Sequence, residues 1–165
     1  MSGSDVEWPA LVEGEFEVDN VDERLWRQVH PDWVQDGVIS SSAFKPKRND
    51  GKQLSCSRES IVSAAEATRH YGDVLGFRTA GSAAVSVGDV HTPDNPVGPT
   101  ATVSARVVDD SERGATEGDL PPGHAYVDLR PFGSSAIERK AKQLAFFAAK
   151  NGLESKGERP GLPTP

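Results

Sequence analysis

Cysteine is almost absent from this chain: Cys56 is the only one among 165 residues, so no disulfide can form within it. No apolar run approaches the roughly 18 residues that a membrane-spanning helix needs. Residues 1–10 lack both the positive charges and the apolar stretch of a signal peptide. These absences predict a cytoplasmic protein without a membrane segment.

Positive charge is also scarce, since 18 Lys and Arg face 25 Asp and Glu for a net charge of −7. A protein that wraps nucleic acid needs clustered cations, so this balance argues against a nucleic-acid partner. The first 23 residues carry eight acidic side chains and no basic one, which predicts a mobile acidic arm over residues 1–12. The length predicts one domain, residues 13–152, and the polar, Pro-rich residues 153–165 predict a disordered tail.

Hydrophobic periodicity predicts the fold class. Alternating apolar and polar residues predict strands at residues 25–30, 53–57, 82–87, 101–107 and 124–129, with a possible edge strand at 15–18. Helical spacing and two capping-box pairs, Ser63–Glu66 and Ser135–Glu138, predict helices over residues 64–71 and 136–150. The order favours an α+β fold: a mainly antiparallel, twisted sheet of about five to six strands with two principal helices, the C-terminal one packed on the sheet.

The histidines and the single cysteine do not predict a metal site or a nucleophile. The four histidines are separated by 40, 21 and 33 residues, unlike the closely spaced ligands of local zinc sites. Cys56 shares a predicted strand face with Leu54, which favours a small buried core residue over a catalytic thiol. We therefore expect no metal and no cysteine catalysis.

Arg27 and His30 form the first candidate site. Arg27 is a charged residue on a strand between apolar neighbours, a position that calls for a partner or a ligand. Pro31 ends the strand and favours a corner at His30, with Ser40 and Ser42 nearby. A guanidinium in a small polar pocket there would bind a phosphate or a carboxylate.

Basic residues form the second candidate site. They concentrate in one loop and on the last predicted helix: Lys45, Lys47, Arg48, Lys52 and Arg58, with Arg139, Lys140 and Lys142. Three interpretations stay open from the sequence. The residues bind phosphate, they dock the protein's own acidic arm, or they are a solvated loop.

Four segments carry a resemblance to known proteins: residues 25–31 (LWRQVHP), 36–44 (DGVISSSAF), 54–60 (LSCSRES) and 64–71 (AAEATRHY). This series resembles a group of small uncharacterised bacterial proteins and is similar to the front half of ADP-ribosyltransferase-like domains.

The resemblance implies a set of site residues. Arg27 or His30 would hold NAD, and Ser55 or Ser57 would belong to the serine segment of the second strand. The last predicted strand, HAYVDL, offers His124 and Asp128 but lacks the glutamate that these transferases commonly place near their last core strand.

Two functions follow as hypotheses. The first is a small accessory protein that binds a protein partner and needs no cofactor, because the chain carries no catalytic signature and its charge is unevenly distributed. The alternative is an ADP-ribosyltransferase-like enzyme that handles NAD or another nucleotide.

Overall fold

A computed structural model describes residues 6–93, 104–113, 121 and 123–156 of the chain. Its strands are β1 (Phe16–Glu17), β2 (Arg24–Val29), β3 (Val34–Gln35), β4 (Val38–Ile39), β5 (Gln53–Arg58), β6 (Gly81–Ser86), β7 (Arg106–Asp109), β8 (His124–Asp128) and β9 (Leu153–Lys156). Its α-helices are α1 (Ala64–Arg69), α2 (Val87–His91) and α3 (Ser134–Asn151). The α+β fold predicted from periodicity is confirmed.

Seven strands form one antiparallel sheet in the order β1-β7-β8-β5-β2-β6-β9, and β3 pairs with β4 in a separate hairpin. The count exceeds the five to six strands expected because short segments at both edges join the sheet. Strand β9 lies within the tail expected over residues 153–165 and pairs with β6. Residues 101–103 of the predicted strand 101–107 lie outside the described part of the chain.

The main core lies between one face of the sheet and helix α3. Ala141, Leu144 and Ala148 project from the helix onto strand residues such as Leu25 and Val127, and all five are almost fully buried. On the opposite face α1 covers a smaller cluster, in which the Trp26 indole N–H donates to the Val62 carbonyl over 3.0 Å. None of the described helices is long and apolar enough to cross a membrane.

The helix ends show which capping predictions hold. Ser63 caps α1 as predicted, since its hydroxyl accepts from the Glu66 N–H over 3.1 Å. The reciprocal bond of the predicted capping box, from the Ser63 N–H to the Glu66 side chain, is absent among the described residues. The predicted Ser135–Glu138 capping box does not form, because α3 begins two residues earlier than expected, at Ser134, and its cap position is Gly133, which has no side chain. The first turn of α3 therefore has no side-chain cap.

Two segments depart from the predicted elements. The helix predicted over residues 64–71 does not end before Gly72. Instead, α1 continues into a π-helical turn, His70–Val74, in which the Leu75 N–H donates to the His70 carbonyl. Helix α2 was not predicted, and it forms because Ser86 and Asp89 cap each other's backbone N–H groups.

Candidate anion-binding site

A cavity of about 790 Å³ lies where the loop before β5, the turn after β8 and the start of α3 meet. We call it the cationic pocket. Five cations line it: Lys45, Lys47, Arg48, Lys52 and Arg130. Pro46, Gly51, Ser134, Ile137 and Glu138 complete its wall, so Glu138 supplies the only carboxylate among the described lining residues.

The loop that carries four of these cations is built from two tight turns. A 3-10 turn, Arg48–Asp50, begins where the Lys47 N–H donates to the Asp50 carboxylate over 2.6 Å. Gly51 and Lys52 then both adopt left-handed backbone, with φ of 61° and 62°. Such a conformation strains a lysine by about 1–3 kcal/mol and persists only where the surroundings fix it.

The surroundings of Lys52 fix it at both ends. Its carbonyl accepts from the Leu129 N–H, and its Nζ donates to the Phe132 carbonyl, each over 2.9 Å. Both partners belong to the segment that joins β8 to α3. This pair of bonds brings the cationic loop against the start of the helix.

Arg130 is held even more firmly. Its Nε and Nη2 donate to the two oxygens of Asp128, each over 2.9 Å, and Nη2 also donates to the Tyr126 hydroxyl over 3.3 Å. Burial alone would raise the pKa of Asp128, but hydrogen bonds from Arg130 and Arg106 lower it below its ordinary value. These bonds fix the guanidinium of Arg130, which lines the pocket, and leave its Nη1 without a partner among the described residues.

Lys47 and Arg48 are different, because neither makes an ion pair with any described residue, and both are exposed. Lys45 pairs with Glu138 over 3.6 Å, with both side chains largely in solvent. The pocket thus combines two fixed cations, Lys52 and Arg130, with two unpaired ones on its rim.

Helix α3 adds backbone donors. The N–H groups of Ser134, Ser135 and Ala136 precede the first intrahelical bond, from the Ile137 N–H to the Gly133 carbonyl, and have no acceptor among the described residues. The first turn also contains no acidic residue. The positive end of an 18-residue helix therefore opens at a wall that already carries cations.

Sequence reasoning identified the loop but not its partners. Arg130 and Ser134 were missed, although a strand followed by Arg-Pro-Phe-Gly-Ser before a helix is a recognisable signal for a helix-terminal anion site. The helix cations assigned instead do not line the pocket. Lys140 is fully buried and donates to the carbonyls of Asp89 and Thr92, while Arg58 is paired with carboxylates at the other end of β5.

Arg27, the first sequence candidate, lies on β2 beside β5 and is half-buried. Its Nε donates to the Ala43 carbonyl over 2.7 Å, and its Nη1 donates to the Ser55 carbonyl over 3.0 Å. The ladder between these strands ends at Trp26 and Ser57, so the guanidinium bonds a carbonyl of β5 beyond the last pair. Burial lowers the pKa of Arg27 below its usual value.

His30 and Ser40 cap 3-10 turns in the structure, and Ser42 lies within the turn that Ser40 caps. His30 Nδ1 accepts from the Asp32 N–H over 3.0 Å, and the Ser40 hydroxyl accepts from the Ser42 N–H over 3.1 Å. No hydrogen bond or ion pair joins Arg27 to His30 within the described residues.

Ser55, Ser57 and His124 share one face of the sheet. Ser57 lies directly opposite His124 on the neighbouring strand, and Ser55 opposite Tyr126. His124 Nδ1 lies 2.5 Å from the Asp110 carboxylate. Arg27 therefore contacts the backbone carbonyl of Ser55, and Ser57 is the cross-strand neighbour of His124.

Cys56 is buried within the main core. Burial raises the pKa of the Cys56 thiol to about 12, so the thiolate that a nucleophile requires is scarce. Within the part of the chain that the structure describes, no three His, Cys, Asp or Glu side chains are close enough to hold a metal ion.

Comparison of the chain with protein-family models, with curated proteins and with solved structures gave no match.

Proposed function

We propose that this protein is a non-catalytic module that binds a protein partner through a phosphate group held in the cationic pocket. The observation that carries the proposal is the charge of that pocket: five cations and one carboxylate, in a chain whose net charge is −7. Cations gathered against the overall charge cost stability through mutual repulsion, unless an anion neutralises them.

The geometry of the donors favours phosphate over a simple carboxylate. Arg130, Lys52 and Ser134, the first residue of α3, line the pocket from different elements, as the oxygens of a tetrahedral anion require. Lys47 and Arg48 then supply unpaired charge at the rim. The volume, about 790 Å³, also exceeds what one anion fills, so part of the partner chain enters with it.

Titration calorimetry and thermal shift test the proposal with defined probes: inorganic phosphate, a phosphoserine peptide and the same peptide without phosphate. A ligand at 100 times its Kd raises the free energy of unfolding by about 2.7 kcal/mol and shifts Tm visibly. We expect inorganic phosphate and the phosphoserine peptide to bind, and added salt to weaken the binding of both. Equal binding of the two peptides would contradict a phosphate site.

Paired variants distinguish phosphate binding in the pocket from an effect of the protein's overall charge. Lys47→Gln with Arg48→Gln should weaken phosphate binding at least about tenfold, while Glu138→Gln should strengthen it. The control, Arg69→Gln with Lys142→Gln, removes the same charge from two exposed positions outside the pocket. If the control weakens binding as much as the pocket variant, the pocket is not the site.

The alternative of an NAD-handling enzyme has one supporting observation: the Arg27 guanidinium contacts β5 at the Ser55 carbonyl. Strand β8 offers no glutamate beside it. NAD belongs in the same titration series. Binding of NAD that Arg27→Gln abolishes, and that the Lys47–Arg48 variant leaves intact, would favour this alternative over the phosphate module.

A further inference from the structure

The N-terminal segment, here Trp8 and Pro9, contacts Arg106 and Phe132, which hold the cations of the pocket in place. Neither Trp8 nor Pro9 lines the pocket itself. Trp8 is half-buried against the core, and its indole ring meets two side chains at once. The Arg106 guanidinium stacks on it 4.8 Å from the ring centre, and Phe132 packs edge-on at 5.8 Å. Arg106 is linked to the fixed cation Arg130 through Asp128, and Phe132 contacts the fixed cation Lys52 directly.

The first connection between Trp8 and the pocket, which we call the first route, consists of hydrogen bonds and ion pairs that lead to Arg130. Arg106 Nη2 donates to the Pro9 carbonyl over 2.7 Å, and its Nε donates to Asp128 Oδ2 over 2.9 Å. Asp128 is fully buried and holds Arg130 with both oxygens. Trp8 and Pro9 therefore fix Arg106, Arg106 fixes Asp128, and Asp128 fixes the guanidinium that faces the pocket.

The second connection, which we call the second route, is the packing of Trp8 on Phe132 and leads to Lys52. Phe132 is 8% exposed, and its carbonyl accepts the bond from Lys52 Nζ. A shift of the Phe132 ring moves this carbonyl and, with it, the lysine. The two routes start at one side chain and end at the two fixed cations.

We infer that Trp8 is a positioning residue for the cationic pocket, so that docking of the N-terminal segment and binding of phosphate strengthen each other; this rests on the proposed function. Arg106 and Arg130 share the one carboxylate of Asp128, which leaves one positive charge in excess. A bound phosphate neutralises that excess and stabilises the arrangement. Coupling of this kind is reciprocal, so loosening Trp8 weakens phosphate binding.

Calorimetry of inorganic phosphate with full-length variants tests the inference. We expect Trp8→Ala to weaken binding about fivefold or more, the lower range of such couplings. Trp8→Phe, which keeps an aromatic ring, should restore most of the affinity. The matched control is Trp33→Ala, whose ring packs against His30, and it should leave affinity unchanged. Equal affinity of wild type and folded Trp8→Ala would overturn the inference.

A second measurement needs no ligand and separates the two proposals. The Nε–H signal of Arg130 should exchange slowly with water in the wild type and faster in Trp8→Ala, because its hold on Asp128 loosens. An unchanged exchange rate would overturn the positioning role even if phosphate binds. Conversely, if the wild type binds no phosphate, the proposed function is refuted. The exchange rate of the Arg130 Nε–H still tests separately whether Trp8 positions Arg130.

Discussion

Arg27 is the residue at which the sequence and the structure can be compared most sharply. Its position between apolar neighbours indicated a need for partners, and the structure supplies two backbone carbonyls, those of Ala43 and Ser55. Sequence alone could not distinguish carbonyl partners from a ligand, because carbonyls enter the site from loops whose paths are set by the whole fold.

Arg27→Lys should destabilise the protein by about 1–3 kcal/mol, because one ammonium cannot reach both carbonyls in the geometry of a guanidinium fork. Urea denaturation of the variant and the wild type measures the difference. Arg24→Lys is the control, since the Arg24 side chain is 42% exposed and forms surface ion pairs. An Arg27→Lys midpoint equal to the wild type would show that the two carbonyl bonds contribute little.

Cys56 gives a second prediction at this scale. Because burial raises the pKa of its thiol to about 12, the folded protein should resist alkylation by iodoacetamide near about pH 8. The unfolded protein should react, since its thiol returns to an ordinary pKa of about 8.5. Mass spectrometry reads both states, and rapid modification of folded protein would show that Cys56 is accessible.

At the scale of elements, helix α3 was predicted well because its apolar residues repeat at helical spacing over four turns. Its start was predicted less well. Gly133 has no side chain to signal a cap, whereas Ser135 and Glu138 have the spacing of a capping box and do not form one. Edge strands β1 and β9 are short and were weak signals, since tertiary pairing rather than local pattern forms them.

Leu144→Ala should lower the free energy of unfolding by about 2–5 kcal/mol, the range for truncating a buried leucine. Leu144 is fully buried against the sheet, while Phe146 on the same helix is 63% exposed. Phe146→Ala is therefore the control and should cost much less. If the two variants unfold at the same urea concentration, the face of α3 that meets the sheet is assigned wrongly.

At the scale of the molecule, four carboxylates with buried side chains bind cations or hydroxyl groups across the sheet: Glu15, Glu23, Asp109 and Asp128. Burial alone would raise the pKa of each, but their hydrogen bonds and ion pairs lower it below the ordinary value. The sequence shows these charges but not their pairing, which depends on residues far apart in the chain.

Acid should therefore destabilise the fold. A carboxylate with a lowered pKa in the folded state contributes stability that is complete above its unfolded pKa, about 4, and lost as pH falls through the folded value. We expect a constant urea midpoint from about pH 7 to about pH 5 and a steep fall below about pH 4.

Glu23→Gln should flatten that fall, because Glu23 is 5% exposed and binds both Arg58 and Ser60. Glu13→Gln is the matched control at an exposed carboxylate and should leave the profile as it is. Identical profiles for the two variants would contradict a role for the buried pairs.

The cationic pocket is lined by residues from separate segments of the chain, so no single segment predicts it. The cations of the loop were visible as a cluster, and the sequence left phosphate binding open beside two other interpretations. The structure adds Arg130 and the uncapped start of α3, which reach the loop through the bonds of Lys52 to Leu129 and Phe132.

Backbone amide NMR with added inorganic phosphate tests this claim most directly, because it locates the anion. We predict saturable shifts at Ser134, Ser135 and Ala136, whose N–H groups would donate to the phosphate, together with shifts at Lys47 and Arg48. Chloride at equal ionic strength is the control and should not reproduce them. Shifts confined to the strand residues around Arg27, or no saturable shift at the start of α3, would contradict the account.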